Sequence, residues 1–127
     1  MTRIDFLARK KSAERRGRRS EIFAATLLML KGYRILGRRV RTPMGEIDLV
    51  ARSPGGLVCF IEVKARGEER LAVQSVGPRQ QSRIARAASF YLAQKPQLAG
   101  KGVRFDIVIM ARGGLPRHFR DAFRPND

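Results

Sequence analysis

From Leu57 to Ile61 the chain is continuously apolar, and the run ends in Glu62-Val63-Lys64. Five apolar residues in a row describe a strand covered on both faces, which demands layers above and below it and points to a mixed α/β core. An acid and a lysine two residues apart share one side of a strand, so Glu62 and Lys64 project together. Residues 46–52 read as a strand, Ser53-Pro54-Gly55-Gly56 as a turn, and residues 57–66 as the returning strand of a central antiparallel hairpin. If Arg52 faces Val58, paired residue numbers sum to 110, which sets Asp48 opposite Glu62 to within one residue. Two facing carboxylates repel, so one holds a proton or a cation sits between them.

The remaining elements flank this hairpin. A helical pattern starts near Ala13, with Ser20 as an alternative cap, and runs to Lys31, where Gly32 stops it. Glu21 shares a face of that helix with Ala24, Ala25 and Leu28, which puts its carboxylate at the edge of the core; the bland alternative is an acid placed near a helix start by the dipole. Tyr33–Thr42 alternates as a strand studded with Arg34, Arg38, Arg39 and Arg41, and Pro43-Met44-Gly45 turns the chain. Pro78 opens a helix over Arg79–Gln94 whose apolar stripe is Ile84, Ala87, Ala88, Tyr91 and Leu92. Gln80 and Gln81 face the same way as that stripe, while Arg79, Arg83 and Arg86 point outward. Val103–Ala111 is a buried strand with Asp106 inside it, and Pro116–Phe123 adds a short edge segment. Residues 1–14 are expected to be a basic arm, mobile at its start, and 15–127 a single domain.

The chain of 127 residues carries a formal charge of +16, and 21 of its 27 basic residues are arginine. That balance selects nucleic acid, an anionic membrane or an acidic protein as partner, and the arginine fork favours phosphate. Five basic residues and no acid lie between Arg79 and Lys101, the footprint of a phosphate backbone or simply a solvated face. DNA is expected ahead of RNA, with no membrane partner; the oligomeric state stays open, a homodimer included. The single cysteine, Cys59, excludes an internal disulfide and reads as a core thiol in a reducing compartment. No segment approaches the apolar length of a membrane span and the charged start lacks a signal-peptide run, so the expected location is the cytoplasm. His118, the lone histidine, reads as a surface or core-edge residue.

Only eleven acids exist in the chain, and Glu21, Glu46, Asp48 and Glu62 fall on elements that can converge. A hard cation such as magnesium or manganese takes oxygen ligands of this kind, with water and substrate phosphate completing its shell. Lys64 beside them can position an attacking water and stabilise charge on phosphorus.

Asp48 followed fourteen residues later by Glu62-Val63-Lys64 resembles the PD-(D/E)xK motif of restriction endonucleases and archaeal-type Holliday junction resolvases, with Ile47 in place of the usual proline. Gly17–Gly32, Gly45–Ala51, Phe60–Arg66, the Gln81 region with Tyr91-Leu92, Arg104-Phe105-Asp106 and Asp121-Ala122-Phe123 together resemble the YraN family of small bacterial proteins. The resemblance implies a restriction-endonuclease-like fold. It also implies Asp48 and Glu62 as metal ligands, Glu21 as the acid completing the site, Lys64 as catalytic lysine and Arg66 as a phosphate contact. Gln81 stands where the family keeps a glutamine, and Gln80 where many members carry lysine. The expected function is magnesium-dependent hydrolysis of DNA phosphodiesters, in branched or damaged structures, with Arg39, Arg41, Arg66, Arg79, Gln81 and Arg83 contacting the nucleic acid. The alternatives are a non-catalytic nucleic-acid-binding module on the same fold and an adaptor for an acidic protein.

Overall fold

The computed structural model describes residues 2–65, 74–110 and 115–125, and the side chains of these except 5–18. The elements are α1 (Arg3–Leu30), β1 (Arg34–Thr42), β2 (Gly45–Arg52), β3 (Val58–Lys64), α2 (Pro78–Ala93), a 3-10 turn (Pro96–Leu98), β4 (Val103–Met110) and β5 (Pro116–Phe119). Helix α1 begins at Arg3, not near Ala13, so the expected basic arm is helical from its third residue on. Its composition explains the extension, since Leu, Ala, Arg, Lys and Glu, which are strong helix formers, make up most of it and Gly17 is its one glycine. Ser20 is accordingly a buried residue within the helix and not its cap. The stop at Gly32 is as expected: at φ +89° it lets Tyr33 N–H reach Leu28 O (2.9 Å) while Gly32 N–H bonds Met29 O (3.0 Å), the paired bonds of a Schellman motif.

The five strands form one sheet in the order β1-β2-β3-β4-β5. All neighbours are antiparallel except β3 and β4, which are parallel and joined through α2, the crossover that parallel pairing requires. This puts β3 at the centre, as its unbroken apolar run demanded. Its α1 side holds Cys59 and Ile61 with Leu49, Ala51, Ala24, Leu28 and Val108, and its α2 side holds Val58 and Phe60 with Val50, Ala87, Ala88 and Tyr91. Aromatic contacts carry the second layer onward: Phe60 meets Tyr91 edge-on at 5.8 Å and Phe105 in a stack at 5.8 Å, and Phe105 meets Phe123 at 5.4 Å. Truncating a fully buried ring such as Phe60 to alanine costs about 3–5 kcal/mol. A mixed sheet of this topology between two helices, with the charged residues at the end of its central hairpin, is the restriction-endonuclease-like architecture.

Candidate active site

The hairpin register is the one the sequence arithmetic requires. Arg52↔Val58, Ala51↔Cys59, Val50↔Phe60 and Leu49↔Ile61 all sum to 110. The ladder ends there, one step before Asp48 and Glu62 would face each other. Ile47 packs on the α2 side and Leu49 on the α1 side, although residues two apart on a regular strand share a side, so alternation breaks at Asp48. The neighbouring strand breaks at the same level. Arg38↔Leu49 is followed by Val40↔Ile47, which places Arg39 across from Asp48, and Arg39 has a φ of +50°, a conformation few non-glycine residues adopt. Freed from the regular pleat, the Asp48 carboxylate turns to β3 and its Oδ2 accepts the Val63 N–H at 2.8 Å.

Glu62 sits beside it, its side chain 13% exposed, with Lys64 Nζ 3.9 Å from Oε1. From α2, Gln80 Nε2 donates to the same oxygen at 2.8 Å. Glu21 projects from the buried face of α1, as its helical spacing predicts, and its Oε2 accepts the Arg39 Nε–H at 2.7 Å.

The electrostatics separate the pair from an ordinary ion-pair network. Burial pushes the Asp48 carboxyl up to about 6, against the Val63 hydrogen bond and with help from Glu21 and Glu46. Burial also pushes Glu62 up to about 7, the Asp48 charge adding to it while Lys64, Arg83 and Gln80 pull the other way. Both shifts have the same leading cause, the loss of water around the carboxylates, which outweighs the pull of Lys64 on both and of Arg83 on Glu62. Among the described residues no group of three His, Cys, Asp or Glu side chains lies close enough to hold a metal by itself. Two carboxylates are a fitting donor set for magnesium or manganese, which complete their shells with water and phosphate.

A model of the uncharacterised protein family UPF0102 matches residues 20–110. A UPF0102 protein of Rhizobium johnstonii is 51% identical over 119 residues, covering 94% of this chain and 97% of the relative. A UPF0102 protein of Rhodopseudomonas palustris is 53% identical over 112 residues (88% and 85%), and one of Parvibaculum lavamentivorans 48% over 114 residues (90% and 85%). The chain belongs to the UPF0102 (YraN) family.

The remaining expected site residues of this UPF0102 chain divide by position. Glu46 is held outside, 43% exposed and 3.8 Å from Arg41 Nε on the facing strand, though its charge still acts on Asp48. Arg83 lies over the hairpin because Gly45, at φ +136°, leaves room for its stem; a Cβ there would meet Arg83 Cδ at 3.0 Å. Its charge reaches Glu62. Arg79 is exposed at the start of α2, and Arg41 at the sheet edge. Gln81 turns its amide to Val76 O (2.9 Å), where it braces the turn into α2. Arg66 lies outside the described residues. Gln80 is the contact that sequence reasoning did not assign, although its inward-facing position on α2 was the available signal. No described helix is long and apolar enough to cross a membrane.

Proposed function

We propose that this chain is a metal-dependent nuclease that hydrolyses phosphodiester bonds in DNA. The observation that carries the proposal is the pair of buried carboxylates, Asp48 and Glu62, whose burial outweighs the nearby Lys64 in a chain with a formal charge of +16. A protein with 27 basic residues has ample means to neutralise two acids. Leaving them mutually repelling makes sense where a divalent cation binds.

Asp48, anchored through Oδ2 by the Val63 N–H, offers its other oxygen to the cation, and Glu62 offers its carboxylate from the adjacent strand. A bound magnesium or manganese ion supplies Lewis-acid polarisation of the phosphoryl oxygen and lowers the proton affinity of a water. Lys64 then places a positive charge against the charge that develops on phosphorus. Gln80 fixes the Glu62 rotamer, and Arg83 over the hairpin, with Arg79 on the same helix, draws the polyanion toward the site. Those arginine contacts fall on phosphates, so they confer affinity without sequence preference.

The test is incubation with linear, flapped and four-way DNA and with RNA, in magnesium or manganese, beside Asp48→Asn and Lys64→Ala. Cleavage that both variants lose while retaining DNA binding is the expected result. Binding without cleavage under every condition overturns the nuclease reading and leaves a nucleic-acid-binding module. One observation favours that second reading: the Glu21 carboxylate is already occupied by Arg39.

A further inference from the structure

We propose that the cavity between β1 and the C-terminal half of α2 seats an unpaired nucleotide of the DNA strand. This rests on the nuclease reading for the identity of the strand, and it names what kind of DNA the same protein selects.

The cavity encloses about 310 Å³. That is at the lower end of small-molecule sites and suits one planar ring system. Val40 from β1 and Phe90 and Tyr91 from α2 supply its apolar wall. Tyr91 is itself buried and locked edge-on against Phe60, so the aromatic side of the cavity is rigid. Half-buried Phe90 supplies the accessible face. Gln94, exposed at the mouth, brings an amide that both donates and accepts. Two cations complete the rim: Arg41, with 91% of its side chain exposed, and Lys95, whose Nζ stands 5.7 Å from the Tyr91 ring. No acid is among the described residues that line the cavity, and Glu46 stands 3.8 Å from Arg41.

An aliphatic cavity alone would accept a leucine side chain as readily as anything else. An aromatic face with an amide at its mouth and two cations at its rim, in so basic a protein, is complementary to a nucleobase with its phosphate. A base inside a duplex is already stacked on both faces and cannot enter such a site, so the seat requires a flap, gap, bulge or junction. The spacing places this nucleotide a few positions along the strand from the reacting one and not at it. Gln80 touches Glu62 at the start of α2, and Tyr91 lies eleven residues further on, about 16 Å at 1.5 Å per residue. On the other wall Val40 pairs with Ile47, the residue before Asp48, so the cavity wall is held by the strand next to the one that carries Asp48.

The experiment is fluorescence anisotropy in chelator, which removes cleavage from the readout, using blunt duplex and the same duplex with an unpaired single-stranded flap. A 2-aminopurine in the flap reports stacking by loss of emission. The variants are Arg41→Ala, which touches no core, and Phe90→Leu, which keeps the volume and loses the aromatic face; melting curves verify that both fold. Wild type is expected to bind the flapped DNA more tightly and to quench the probe. Phe90→Leu should weaken flap binding roughly 5-fold or more, the low end of one base–aromatic stack, and blunt-duplex binding less than about 2-fold, and Arg41→Ala should weaken flap binding more than duplex binding. Equal losses on both DNAs, or unchanged probe emission, overturn the proposal. So does a wild-type dimer that Phe90→Leu dissociates, since a second copy would then be the occupant. Selective flap binding without cleavage in magnesium overturns the nuclease reading while this one stands.

Discussion

Asp106 on β4 and the Asp48–Glu62 pair on β2 and β3 are carboxylates taken out of water in the same sheet, yet their surroundings treat them oppositely. Asp106 is fully buried and accepts from Arg104 Nε (2.9 Å), Arg104 Nη2 (2.8 Å) and the Asp121 N–H (2.9 Å), with His118 Nε2 at 2.8 Å. Burial alone would push its carboxyl up, but the hydrogen bonds from His118, Arg104 and Asp121 outweigh it and hold it below the usual range. The network extends to Tyr33 OH, 2.5 Å from Arg104 Nη2, and to Lys31 Nζ, 2.6 Å from His118 Nδ1, tying the end of α1 to β4 and β5. Asp48 and Glu62 receive one backbone N–H, one neutral amide and a lysine at 3.9 Å, and both rise. Full compensation makes a structural joint. Incomplete compensation is what a cation at the proposed site would relieve.

The largest expected effects break the two sites in different measurements. Asp106→Ala leaves Arg104 and His118 without their buried acceptor and should cost about 3–5 kcal/mol of stability, read as a loss in denaturant midpoint. Asp48→Asn should lower DNA cleavage by about 1,000-fold, roughly 4 kcal/mol in the barrier, with melting temperature unchanged or raised because a repulsive charge has gone. A destabilised Asp48→Asn would mean that the pair is a structural joint after all, and the contrast would fail.

A smaller effect separates them by pH. Raised carboxyls bind more protons in the folded than in the unfolded chain, so the stability of the metal-free protein falls as pH rises from the ordinary carboxylate range through about 6 to 7. The fall from pH 5 to pH 8 should be on the order of 2 kcal/mol, reversed by manganese and flattened in Asp48→Asn. Asp106 has the opposite sign: its contribution is present above its unfolded value and is lost only in acid below that. Thermal melts across pH, with and without manganese, read both; a flat metal-free profile contradicts the first.

The sequence made one of these sites legible and not the other, for physical reasons. Period-two spacing fixes that Glu62 and Lys64 share a side, and a tight turn fixes the hairpin sum, so the site could be assembled from local rules. Helical spacing likewise turned Glu21 inward. The break in alternation at Arg39 and Asp48 was not legible, because it depends on which helix covers which side of each strand. The Asp106 joint joins residues as far apart as Lys31 and His118, and no local period signals a contact between the end of the first helix and the last strand. Asp106 inside an apolar strand marked that a partner must exist without saying which. The helix start failed for the opposite reason: its charge suggested a loose arm, while its residue types are good helix formers.

The finest discrimination uses two single hydrogen bonds of similar strength, one at each site. Gln80→Ala removes the amide on Glu62, and Lys31→Ala removes the ammonium on His118. A bond of this kind contributes about 0.5–1.5 kcal/mol net, so each variant should show an effect near the lower end of measurable change. The difference lies in where it appears. In the proposed site Gln80 orients one of two carboxylates offered to a cation, so its loss should weaken manganese binding about 3- to 10-fold by calorimetry. Because its acceptor is a carboxyl that burial already pushes toward the neutral form, the metal-free melting temperature should move less than in Lys31→Ala. Lys31 orients the imidazole that completes the Asp106 joint, so its loss should lower the melting temperature by a few degrees and leave manganese affinity alone. The two readouts exchanged, or moving together in both variants, would show that the carboxylate pair and the Asp106 network are one coupled structural core, and the division between joint and site would have to be abandoned.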